Sequence, residues 1–201
     1  MEIDVRRLGL VDFDAAWALQ RELAARVTPE RGFLLLLEHP PVFTLGKNGD
    51  AANVLDAGDV PVKRIDRGGD VTYHGPGQLV GYPILDVRRL GVRRYVRSLE
   101  ESLLDLLGAL GVEARRKEGC VGLWTARGKI ASIGVRISRG VSSHGFALNV
   151  SNDLAPFARI NPCGMPGCPV TSVSLELGRP AAVGEAADRF RLRPGDRMLR
   201  L

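Results

Sequence analysis

Lysine is scarce in this chain, cysteine scarcer still, and no apolar run is long enough to cross a bilayer. The three cysteines are an odd number and cannot close into a disulfide framework, so free thiols and a reducing compartment are expected. The opening Met1-Glu2-Ile3-Asp4-Val5 carries acid where a signal peptide carries basic and then apolar residues. With no membrane-length segment, the expectation is a cytoplasmic chain that engages no membrane. The net charge of +5 is almost wholly arginine, since Lys47, Lys63, Lys117 and Lys129 are the only lysines. The arginines are scattered, and aromatic residues make up 5% of the chain, which argues against a basic stripe or a stacking platform for nucleic acid. A diffuse positive surface suits an acidic protein partner better. There is no Gly-Lys-Ser/Thr phosphate loop, no dinucleotide fingerprint and no C-x-x-C pair. Cys120, Cys163, Cys168 and His144 therefore lack the spacing of a zinc site, and Cys163 with Cys168 lacks that of a redox pair. No metal or cofactor is expected.

What remains is a 201-residue chain, 45% hydrophobic, which fits a single catalytic domain over residues 1–201. Ile3, Val5 and Leu8 suggest a first strand. Asp12 or Asp14 caps a helix with the stripe Phe13, Ala16, Leu19, Leu23. Leu34 to Leu37 reads as a strand buried on both faces, and Val42 to Leu45 as another. Between them His39, ahead of a double proline, reads as a turn residue or a pocket wall. A helical turn at 53–55 and a strand over 60–65 follow. Residues 79–87 read as a buried strand. The 92–110 stretch is a helix with Val96, Leu99, Leu103, Leu106 and Leu110 on one face, stopped by Gly111. Strands are expected at 120–124, 129–137 and 144–150, with 138–143 linking the last two as a hairpin. A short helix at 183–190 precedes a polar tail.

Three stretches carry chemistry. Cys163 lies in Asn161-Pro162-Cys163-Gly164, where proline fixes φ and glycine leaves the sulfur open on one side. A free cysteine in such a turn is either a half-buried structural thiol or a nucleophile. Arg67-Gly68-Gly69-Asp70-Val71-Thr72-Tyr73-His74 runs on to Gly75-Pro76-Gly77-Gln78. Its paired glycines allow close backbone approach, which favours a binding loop over a bare hairpin. In the third stretch, period two puts Lys129 in phase with Ala131, Ile133, Val135 and Ile137, on an apolar face where burial disfavours the ammonium. Such an amine is suited to act as a general base. A bulge at the strand start would reverse that phase. Ser132 and Gly134 lie on the other face, and Gly145, Ala147 and Asn149 alternate in the same way. The two rows of small side chains leave a groove for an acyl chain or a planar ring.

These stretches resemble the lipoyl(octanoyl)transferases of lipoate synthesis. The resemblance rests on Leu37 to Lys47, Arg67 to Leu79, Gly128 to Val135, His144 to Val150 and Pro162-Cys163-Gly164, in order along nearly the whole chain. It implies the α/β (α+β) fold of the biotin and lipoate protein ligases, a mostly antiparallel mixed sheet flanked by helices. It implies an acyltransferase with a Cys163/Lys129 dyad. The octanoyl group would pass from acyl carrier protein, through a Cys163 thioester, to a lysine of a lipoyl domain. Acceptors would be the E2 subunits of 2-oxoacid dehydrogenases and the glycine cleavage H protein. Substrate contacts would fall on Arg67, Gly68, Gly69, Asp70, Val71, Thr72, Tyr73 and His74, on Ser132, Ile133 and Gly134, and on Gly145, Phe146 and Ala147. Backbone N–H groups near Gly164 or in the 67–69 loop would hold the oxyanion. The loop Met165-Pro166-Gly167-Cys168-Pro169 departs from the family pattern. The nearest rival is an ATP-dependent lipoate or biotin ligase, which would not need Cys163. A non-catalytic module that holds a carrier or lipoyl domain would need neither Cys163 nor Lys129.

Overall fold

In the computed structural model, residues 1–193 are described, apart from the side chain of Cys163. The expected polar tail lies outside the described residues from 194 onward. The chain begins with β1 (Glu2–Leu10), α1 (Phe13–Ala24), β2 (Arg31–Glu38), β3 (Val42–Leu45), β4 (Val62–Arg64), β5 (Val71–His74) and β6 (Gln78–Ile84). It continues with α2 (Gly91–Ala109), β7 (Arg115–Lys117), β8 (Cys120–Trp124), β9 (Lys129–Ser138), β10 (Val141–Asn149), α3 (Val173–Leu177) and α4 (Val183–Arg189). The large sheet has the order β1-β2-β6-β10-β9-β8-β7, and a small one the order β4-β3-β5. In the large sheet β1 runs parallel to β2, and every other neighbouring pair is antiparallel. This is the mixed sheet flanked by helices that the resemblance implies.

The continuous apolar run of β2 is explained by cover on both faces. Leu34 and Leu36 enter the core beneath α2, with Leu99, Leu103 and Leu106. Phe33, Leu35 and Leu37 enter a second core beneath α1, with Ala16, Leu23 and Val80. Asp12 caps α1, its Oδ1 accepting from the Asp14 and Ala15 N–H groups at 2.9 and 3.1 Å. That cap fixes where the helix starts, and hence where Phe13 points. The small sheet buries Phe43, Leu45, Val71 and Tyr73 against Phe157 and Ile160. Its other face turns towards the large sheet.

Three local features differ from the sequence reading. First, β9 and β10 are joined by a two-residue turn, Arg139 (φ 51°) and Gly140 (φ 82°), so β10 starts at Val141 and not at His144. Two positive φ values match the twist of a tight hairpin. Second, His144 has φ 54°, and this left-handed residue breaks the strand alternation. Its ring lies near Trp17 and Tyr82 on the α1 side, instead of following Phe146 into the α2 core. Third, the β8–β9 register shifts between Leu123, opposite Ala131, and Trp124, opposite Lys129. Ile130 is the extra residue of a bulge. Leu123, Ile130 and Ala131 all enter the α2 core, while Lys129 lies over Gly122 and Trp124. The amine is thus on the face of Ser132 and Gly134, opposite to the phase that strict alternation gives.

Close approach of backbones fixes the sheet at Gly145. A Cβ there would lie 2.7 Å from Pro83 Cδ and would also meet the Gly81 carbonyl. Gly145→Val should therefore destabilise the fold by about 1–3 kcal/mol through overpacking. Gly184→Ala, within α4 where a Cβ meets open space, should leave it unchanged or stabilise it by up to about 1 kcal/mol. Urea midpoints of the two variants check the contrast.

Candidate active site

The inward faces of the two sheets enclose a cavity. In the β9–β10 register, Gly134 faces Gly145 and Ser132 faces Ala147, so two rows of small residues form one wall. The opposite wall comes from the small sheet, where alternation turns Thr72 and His74 inward while Tyr73 packs outward on Phe43 and Phe157. Phe13, from the capped start of α1, and Tyr82, from β6, also line it. Gly134 is required by a close crossing: a Cβ would lie 2.9 Å from Arg67 Cδ and 3.0 Å from the Gly68 carbonyl oxygen. At that crossing the Gly68 N–H donates to the Val135 carbonyl at 2.9 Å and ties the sheets together.

The histidines of this region are structural parts of the wall. His39 is fully buried; its Nδ1–H donates to the Val11 carbonyl at 2.6 Å, and its Nε2 accepts from the Tyr82 hydroxyl at 2.8 Å. Burial holds its pKa below the ordinary value. His144 donates from Nε2 to Asp66 Oδ1 at 2.8 Å; burial lowers its pKa, against the pull of that carboxylate. His74 is the most perturbed, with burial, and then the neighbouring His39, driving it down to about 3.

The donors around His74 are all of known direction. Gln78 Nε2 donates to the Tyr73 carbonyl and, at 2.9 Å, to Asn149 Oδ1, so its Oε1 is the acceptor for His74 Nδ1–H at 2.8 Å. His74 Nε2 is then left to accept from the Thr44 hydroxyl at 3.3 Å. Thr44 Oγ1 and its carbonyl receive the buried Arg67 guanidinium at 3.0 and 2.7 Å. At the other end, Asn149 Nδ2 donates to the Thr171 carbonyl at 3.0 Å. One chain of hydrogen bonds thus runs from Arg67 to the segment beside Lys129.

Lys129 is 2% exposed, and its Nζ lies 5.7 Å from the centroid of the Trp124 ring. Its N–H donates to the Pro169 carbonyl at 2.8 Å, and its carbonyl accepts from the Thr171 N–H at 3.0 Å. Glu176 of α3 holds that segment down, accepting from the hydroxyls of Thr171 and Thr125 at 2.6 and 2.9 Å. The backbone at Cys163 lies in a 3-10 turn, Pro162–Gly164, begun by the Asn161 N–H donating to the Asn53 carbonyl at 2.8 Å. Gly164 has φ 69°, and a Cβ there would lie 3.2 Å from Asp70 Oδ2. Asp70 also lines the cavity. The cavity therefore ends against the turn that carries Cys163.

Of the residues singled out from sequence, Arg67, Gly69, Asp70, Val71, Thr72, His74, Ser132, Ile133, Gly134, Gly145, Phe146 and Ala147 line this one cavity. Gly68 and Tyr73 are not in its lining, because one is spent on the sheet crossing and the other faces the outer core. The side chain of Cys163 lies outside the described residues. The Gly68 and Gly164 N–H groups are donated to the carbonyls of Val135 and Asn161, so in this conformation neither is available to an oxyanion. Phe13 and Tyr82 were missed as wall residues, since an aromatic at a core position and one at a cavity position carry the same pattern. Only the Asp12 cap, which pins the start of α1, held a clue to Phe13. His39 supports the wall through Tyr82. Among the described residues no three His, Cys, Asp or Glu side chains come together to hold a metal ion.

Residues 12–192 match a family described as the lipoyl protein ligase A/B catalytic domain. A protein of Geotalea uraniireducens named octanoyltransferase is 57% identical over 175 residues, covering 85% of this chain and 81% of that protein. One of the same name from Geobacter metallireducens is 55% identical over 187 residues, covering 90% and 86%. A solved structure of lipoate-protein ligase A with bound ATP superposes with a TM-score of 0.81 at 17% identity, covering 94% of this chain and 82% of that one. A putative lipoate protein ligase of T. acidophilum with bound lipoic acid does so at 0.78 and 17%, covering 94% and 83%. The two structures share the fold across a wide sequence distance, the two octanoyltransferases are more than half identical to this chain over the matched stretches, and the family match runs from the cap of α1 to the residues after α4. The chain belongs to the lipoyl protein ligase A/B catalytic-domain family.

Proposed function

We propose that the chain is an acyltransferase that moves an octanoyl group from acyl carrier protein to a lysine of a lipoyl domain, through a thioester on Cys163. The observation that carries this reading is the cavity of small and apolar side chains that ends, at Asp70, against the Cys163 turn. Each methylene buried in such a wall contributes about 0.8 kcal/mol, so an acyl chain is held by its length without any charged anchor. The two octanoyltransferase relatives, at 57% and 55% identity, point to the same chemistry.

In the proposed first half-reaction, Lys129 takes the Cys163 thiol proton and the thiolate attacks the carbonyl carbon of the donor thioester. The tetrahedral intermediate collapses, the donor's thiolate leaves, and Lys129 returns the proton to it. In the second, the neutral amine of the acceptor lysine attacks the acyl-Cys163 carbonyl. Lys129 removes a proton from that nitrogen, the amide forms and the Cys163 thiolate is released. A thioester already carries the activation needed, so no nucleotide enters the cycle. His74 is unsuited to serve as the base, since its protonation is suppressed and both nitrogens are engaged. The partners are acyl carrier protein as donor, with 2-oxoacid dehydrogenase E2 lipoyl domains and the glycine cleavage H protein as acceptors. The setting is the cytoplasm, which suits the free thiol of Cys120. The ATP-bound ligase shares the fold at 17% identity, which makes adenylate formation the second reading.

Intact mass after mixing with octanoyl-acyl carrier protein, without ATP, separates the two. Wild-type chain, Cys120→Ser and Cys168→Ser should each gain one octanoyl group, and Cys163→Ser none as a thioester. A dead Cys168→Ser variant would assign the nucleophile to the other sulfur. Failure of every thiol variant to load, with loading restored by ATP and free octanoate, would favour the ligase reading.

The role of Lys129 is tested by Lys129→Arg, which keeps the charge and gives up reversible deprotonation. As a base, its replacement by arginine should cost roughly a hundredfold or more in kcat/KM, close to the loss in Lys129→Ala. Near-normal activity in the arginine variant would assign Lys129 to charge stabilisation alone.

The buried wall sets an acid limit on the fold. His74 titrates near 3 when folded and from 6.5 when unfolded. Between these values the unfolded chain binds more protons. The contribution of His74 is therefore whole above pH 6.5 and is lost as pH falls towards 3. His39 and His144 act in the same direction. Urea midpoints taken from pH 7 to pH 5 should fall steadily, and His74→Gln should flatten that slope by about one bound proton.

A further inference from the structure

Between α1 and the β9–β10 hairpin, a groove separate from the acyl cavity is lined by Trp17, Gln20, Arg21, Arg136, Arg139 and Ser143. Three guanidinium groups border it. Arg136 is paired with Asp66, while Arg21 and Arg139 have no carboxylate partner among the described residues. At its base sits Gln20, which is 1% exposed. Gln20 Oε1 accepts from the His144 N–H at 2.7 Å, which turns its amide nitrogen the other way. That Nε2 is buried and has no hydrogen-bond partner. An unmet buried donor of this kind is destabilising, and nothing in the fold or the acyl-transfer chemistry uses it.

We propose that this groove binds a phosphate group. The Arg21 and Arg139 guanidiniums and the Ser143 hydroxyl, with the buried Gln20 amide beneath them, supply more donors than the two oxygens of a carboxylate can accept. A tetrahedral oxyanion of higher charge matches them, and guanidinium forks suit its geometry. Occupancy reaches the acyl cavity by two contacts. Gln20 holds the backbone of His144, and Arg136 holds Asp66, which in turn holds the His144 ring at 2.8 Å. Occupancy of the groove does not depend on the assignment of Cys163 and is read without turnover.

Trp17 lines the groove with Arg21 stacked 5.2 Å from its ring centroid, so its fluorescence reports on occupancy. In a Trp124→Phe background, inorganic phosphate should produce a saturable change that potassium chloride of equal ionic strength does not. Arg139→Asn, which tolerates the positive φ of that turn, should weaken binding about tenfold. Gln20→Glu keeps the acceptor for His144 and replaces the free donor with a negative charge, so it should abolish binding. A dimethyl phosphodiester titrated in parallel distinguishes a terminal phosphate from a bridging one, and saturable binding of either supports the site. Identical curves for phosphate and chloride, or wild-type affinity in both groove variants, would overturn it.

Discussion

Gly134 has no side chain, and the Arg67 side chain and the Gly68 carbonyl pass over the large sheet in the space that a side chain would fill. The rest of the site depends on that crossing. It brings the small sheet close enough for the Gly68 N–H to bond the Val135 carbonyl, and for Asp66 to reach both Arg136 and His144. Without it the inward faces of the two sheets would not share a cavity. The tight contact also explains why the cavity wall is built of small residues: the same lack of side chains that admits the crossing leaves room beside it for a guest.

The polar residues behind this wall form a one-way arrangement. Arg67 has only protons to give, so Thr44 must pass its own to His74, and His74 must pass one to Gln78. The tautomer of His74 and the amide orientations of Gln78 and Asn149 follow from that single cation. The chain stops at the Thr171 carbonyl, in the segment that flanks Lys129 on both sides. A buried network with every direction settled is stiff. It connects the wall of the cavity to the strand that carries the amine.

Much of this was legible in the sequence, and the failures have physical causes. The twofold alternation of Gly145 and Ala147 against Ser132 and Gly134 gave the groove, because those strands are regular where the groove lies. The run at Leu34 to Leu37 gave a strand covered on both faces. By the same alternation Tyr73 belongs with Val71, away from Thr72 and His74, so its outward turn was readable. Two features were not. The left-handed φ of His144 is imposed by tertiary contacts with Gln20 and Asp66, a cost that a sequence pattern does not display. The bulge at Ile130 puts two adjacent apolar residues on one face, and nothing in Lys129-Ile130-Ala131 marks it.

That bulge gives the strand a parity. Before Ile130 and after it, odd-numbered residues face opposite ways. Removing one residue there would keep the local composition and the hairpin with β10, but would turn the amine from the cavity side to the underside of the sheet, beneath α2. The position of Lys129 in space is thus encoded in a count of residues, not in their kind. Evolution at this site is free to change the apolar residue at 130 and is not free to delete it, and a chain of this fold lacking that extra residue would need its amine one position away along the strand.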